Sequence, residues 1–179
     1  MRHASQDEVG IYLVAANRLL REALARVLSE EAGFNIIGAC APGPDTEYVV
    51  LTSGASLVIL DDFGAARSDL RLLTKLMTAA PSLRVILVGM PETERALLES
   101  VRAGASGYVL RDASADELIT SVRAVLNGES VCPARMIVSL YKYSPGSGIA
   151  SPILQRQSRP APRVINAAPR ALHFFQNGN

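Results

Sequence analysis

Few residues of this 179-residue chain could do chemistry, and the clearest are two adjacent carboxylates, Asp61 and Asp62, closing the apolar run Leu57–Leu60. Hydrolysis through an aspartyl phosphate wants D-x-D, with the second carboxylate two residues on for acid/base work, but here the run reads Asp61-Asp62-Phe63. A G-x-S-x-G elbow and a phosphate-cradling Gly loop are both missing from the sequence. Cys40 and Cys132 are far apart and in no metal spacing, so two idle thiols are expected rather than a disulfide. His3 and His173 fall near the two ends and suggest no catalytic or metal duty. An enzyme is not indicated.

The elements that must hold Asp61 follow from periodicity. Val9–Val14, Phe34–Ala39, Leu57–Leu60, Val85–Val88 and Gly107–Leu110 are short apolar runs that read as strands. Between them lie helical patterns. One is capped by Asn17, carries Leu20, Leu24, Val27 and Leu28 on one face, and can end at Gly33. Others cover Asp45–Thr52, Ser68–Ala80 (stopped by Pro81) and Glu92–Ala103. Ser114-Ala-Asp-Glu117 is a capping box opening a last helix to Asn127. Strands apolar on both faces and alternating with helices predict a doubly wound, five-stranded parallel α/β sheet. In such sheets the working site lies beyond the carboxyl ends of the strands, which here means Ala15, Ala16, Asp61, Asp62, Gly89 and Arg111.

At those positions the sequence resembles a response-regulator receiver of the NarL/LuxR type. The matching segments are Ile11–Leu24 (IYLVAANRLLREAL), Leu57–Asp61 (LVILD), Arg84–Gly89 (RVILVG) and Ala103–Leu118 (AGASGYVLRDASADEL). The resemblance covers about residues 8–128 and implies a (βα)5 flavodoxin-like fold. It also implies a site with an acidic Mg²⁺-binding pair after the first strand, a phosphoacceptor Asp after the third, a hydroxyl after the fourth and a Lys after the fifth. Of these groups only the acceptor remains, as Asp61. Ala15 and Ala16 stand where the acidic pair is expected, Gly89 replaces the hydroxyl, and Arg111 replaces the Lys. Tyr108 matches the family's switch aromatic.

Asp62 should point away from Asp61, because side chains alternate along a strand. Asn17 is a neutral ligand at best. One carboxylate with waters binds Mg²⁺ poorly, so no metal or other cofactor is expected. Arg111 is the nearest plausible cation for Asp61, and a direct or one-water contact between them is expected. The function that follows is an atypical receiver module in signal transduction and transcription regulation, acting by protein–protein contact. The alternative is a working phosphoacceptor, with Asp61 phosphorylated by a histidine kinase. A partner protein or a second copy is expected on the Glu92–Asn127 face, which the family uses for dimerisation and output.

Composition divides the chain. Residues 1–143 hold all 17 Asp and Glu and 14 of the 18 Lys and Arg, whereas 144–179 hold four Arg, five of the ten Pro and no acid. A receiver over 8–128, a linker helix over 129–143 and a disordered tail over 144–179 are therefore expected. No DNA-binding helix-turn-helix is recognisable after the receiver, and no apolar run suggests a membrane span or signal peptide, so a cytoplasmic protein is expected. The tail's composition is that of a GC-rich coding sequence read out of frame; a truncated product and a natural receiver-only protein both remain open. Limited proteolysis should cut first within 144–179 and leave a resistant fragment ending near Tyr143. Equal resistance along the whole chain would contradict this division.

Overall fold

The computed structural model describes residues 8–61 and 68–136. The expectations for His3, Asp62, His173, the linker helix beyond 136 and the tail lie outside the described residues. The helix expected over 129–143 does not start at 129: residues 129–133 are not helical, with Val131 bridged to Gly107, and helix begins only at 134. Within them ten elements alternate: β1 (Val9–Val14), α1 (Arg18–Ser29), β2 (Phe34–Cys40), α2 (Thr46–Thr52), β3 (Leu57–Asp61), α3 (Ser68–Ala79), β4 (Arg84–Met90), α4 (Glu94–Ala103), β5 (Gly107–Leu110) and α5 (Ala115–Leu126). The strands form one parallel sheet in the order β2-β1-β3-β4-β5. This is the flavodoxin-like arrangement, with its switch point between β1 and β3.

Alternation along each strand divides the core in two. Val58 and Leu60 pack with Val50 of α2, Leu73 and Leu76 of α3, and Leu97 of α4. Leu57 and Ile59 pack on the other face with Leu28 of α1 and Leu118, Val122 and Val125 of α5. Residues 57–60 are all buried, which explains why β3 reads as a continuous apolar run rather than an alternating one.

The sequence placed the elements correctly and some of their ends wrongly. β4 begins at Arg84 and runs to Met90, and α4 begins at Glu94 behind the N-cap Thr93. α1 ends at Ser29 with Glu30 as C-cap; Gly33, at φ +87°, belongs instead to the turn entering β2. The capping box of α5 forms as read: Ser114 Oγ accepts from the Glu117 N–H at 3.2 Å, and Glu117 Oε2 accepts from the Ser114 N–H at 2.7 Å.

The pairing of β1 with β2 skips Ile37, so that Tyr12 lies opposite Gly38. The Tyr12 ring covers Gly38 so closely that a Cβ there would stand 2.3 Å from Tyr12 Cε2. Gly38→Ala should therefore force the Tyr12 ring out of its buried position and lower stability by about 1–3 kcal/mol in urea unfolding. Unchanged stability would mean that the ring has room to move.

Candidate functional site

The carboxyl ends of β3, β4 and β5 floor a cavity of about 550 Å³. Asp61, Val88, Gly89 and Arg111 line it, with Ala16, Asn17, Leu20 and Leu24 from the α1 side and Ser114 and Leu118 from the start of α5. Ala16, Asp61, Gly89 and Arg111 are thus brought to one place, as the sequence predicts. Ala15 lies beside them at the end of β1, buried at 1 % exposure.

Gly89 differs from its neighbours by more than a missing side chain. Its φ is +70°, and the pairing of β4 with β5 shifts register between Leu87 and Met90, so the strand bulges at this point. A Cβ at Gly89 would stand 2.6 Å from Asp61 Oδ1. The carboxylate thus lies over the glycine Cα, in space that a Ser or Thr would fill. A hydroxyl residue here would meet both a left-handed backbone and the Asp61 oxygen.

The end of β1 is occupied by a group that the sequence reading missed. From α1, Arg21 reaches back and its Nη1 donates to the carbonyl oxygens of Ala15 and Ala16, the latter at 3.0 Å. A guanidinium therefore sits where the resemblance expects carboxylates and a cation. Mg²⁺ asks for several oxygen ligands in near-octahedral geometry. The Ala15 and Ala16 side chains supply none, their carbonyls already accept from Arg21, and among the described residues Asp61 is the one carboxylate lining the cavity. These residues do not fit the family's metal. The signal for Arg21 was its place one helical turn after the N-cap Asn17, which lets a long side chain double back over the strand end.

Asp61 and Arg111 form no direct ion pair. Both line the cavity, yet none of the ion pairs among the described residues involves the exposed Arg111. β4 lies between their strands, so their backbones stand about two strand spacings, roughly 10 Å, apart.

Tyr108 turns inward. Its ring is 2 % exposed, and its hydroxyl donates to the Pro91 carbonyl at 2.6 Å. Burial pushes its pKa up to about 12, with the Cys132 thiol adding to the effect. Cys132 is itself pushed up to about 11 by burial, which makes it an inert thiol at neutral pH. Cys132 and Cys40 are both free, as expected.

No family model matches the chain. Among curated proteins it is 25% identical over 127 residues to the uncharacterized transcriptional regulatory protein YxjL of Bacillus subtilis, a match covering 71% of this chain and 58% of that protein. It is 24% identical over 131 residues to the oxygen regulatory protein NreC of Staphylococcus carnosus, covering 73% and 60%. The isolated REC domain of RcsB from Salmonella enterica serovar Typhimurium superposes with a TM-score of 0.65 at 15% identity, over 74% of this chain and 98% of that domain. The domain has the fold of a response-regulator REC domain. The chain spans about three fifths of the length of the curated relatives it matches. Among the described residues, no helix is long and apolar enough to cross a membrane.

In this domain the strain at Gly89 is open to measurement. Gly89→Ala should destabilise the domain by about 2 kcal/mol through the left-handed φ and the Asp61 contact together. In an Asp61→Ala background the cost should fall, because the steric part disappears. Equal costs in the two backgrounds would mean that Asp61 does not lie over Gly89.

Proposed function

We propose that this chain is an atypical receiver that signals through protein–protein contact without Mg²⁺-dependent phosphorylation. The observation that carries the reading is the Arg21 guanidinium on the Ala15 and Ala16 carbonyls, at the end of β1 where the metal ligands are expected. Phosphoryl transfer to a carboxylate depends on cations that neutralise the incoming oxygens. Here that end of the site carries a fixed cation already engaged by backbone, and the hydroxyl position is a glycine whose conformation disfavours any side chain. Cytoplasmic action within transcription regulation is part of the proposal, since YxjL is named a transcriptional regulatory protein.

The second reading is a phosphoacceptor served by a histidine kinase, and the placement of Asp61 at the end of β3, on the floor of the cavity, favours it. One experiment separates the two. The full chain is incubated with acetyl phosphate and about 10 mM Mg²⁺, a concentration well above that needed by ordinary carboxylate sites, and in parallel with beryllofluoride. The atypical reading expects no phosphoryl adduct by mass and no change in the amide spectrum. A phosphoryl adduct on Asp61, abolished by Asp61→Asn, would establish the second reading in its place.

A further inference from the structure

The chain does not leave the domain at the end of α5. Beyond Gly128 it turns back along β5, where the Val131 N–H donates to Ser106 O at 3.0 Å and the Tyr108 N–H donates to Val131 O at 3.0 Å. Val131 joins the α1–α5 core, while Cys132 and Met136 join the opposite core beside Tyr108. The β5 edge within the Glu92–Asn127 face, where a partner was expected, is thus covered by the chain itself.

One side chain ties this strap to the site. Arg135 Nε lies 2.9 Å from Glu92 Oε1, and Arg135 Nη2 lies 2.9 and 3.0 Å from the two carboxylate oxygens of Asp112. Glu92 stands three residues beyond Gly89, and Asp112 directly follows Arg111. The same guanidinium therefore spans the loop after β4 and the loop after β5, the second of which carries the cavity residues Arg111, Ala113 and Ser114. Its hydrogen bonds hold the Asp112 carboxyl below the usual carboxylate range. An isolated exposed ion pair contributes little, but a planar guanidinium shared by two carboxylates in fixed geometry is the arrangement that does contribute.

We propose that Arg135 is a latch: it holds Val131–Met136 against β5 while the two loops keep their spacing, and movement of either loop, by an occupant of the cavity or a partner protein, releases the strap with the sheet intact. The inference is independent of whether Asp61 accepts phosphate.

Hydrogen exchange on the full chain tests it. In Arg135→Ala the amides of Val131 and Tyr108 should exchange roughly fivefold faster, while those within β1 and β3 keep wild-type rates. Raising the salt to about 1 M, where screening acts within about 3 Å, should speed the same two amides in the wild type and leave Arg135→Ala unmoved. Arg135→Lys, a point charge without the planar fork, should fall between. Unchanged exchange in Arg135→Ala, salt-insensitive exchange in the wild type, or acceleration spread equally through β1 and β3 would each overturn the latch.

Discussion

Covering both faces of a parallel sheet is the constraint on which everything else here rests. Residues 57–60 of β3 are buried without exception, and each must find an apolar partner on its own side. That demand places α1 and α5 on one face and α2, α3 and α4 on the other. It also leaves side chains at the carboxyl ends of the strands, such as Arg111, uncommitted to the core. The site can lose its chemistry there without endangering the fold.

The positions where the resemblance expects other groups are occupied by specific contacts. Where the resemblance expects carboxylates stand Ala15 and Ala16, and Arg21 donates to the backbone oxygens of both. Where the resemblance expects a hydroxyl, Gly89 adopts φ +70° with the Asp61 carboxylate lying over it. A larger side chain introduced at Gly89 would meet both the left-handed backbone and the Asp61 carboxylate.

What could be read from the sequence was what is local or periodic. The five apolar runs, the capping box at Ser114 and Glu117, and the meeting of Asp61, Gly89 and Arg111 at one end of the sheet all follow from spacing and strand direction. What could not be read depends on where long side chains reach and on single backbone angles. Arg21 doubles back over four residues, Arg135 bridges two loops 20 residues apart in sequence, and the bulge at Gly89 depends on pairing with β5. Whether Asp61 and Arg111 meet directly could not be read either, since adjacency around a pocket does not fix the direction of a flexible guanidinium.

The Val131 bridge has a consequence for how copies of this molecule can associate. A parallel sheet ends in two strands with unused hydrogen-bonding groups, and each is a template for pairing with another chain. Val131 occupies part of one, along β5, through its bridge to Gly107. The other is β2, where the residue skipped in the pairing, Ile37, bends the strand and stands 38 % exposed. Growth of a filament by strand addition needs two open edges on every copy. With the strap in place this sheet offers at most one, so edge-to-edge association would stop at a pair.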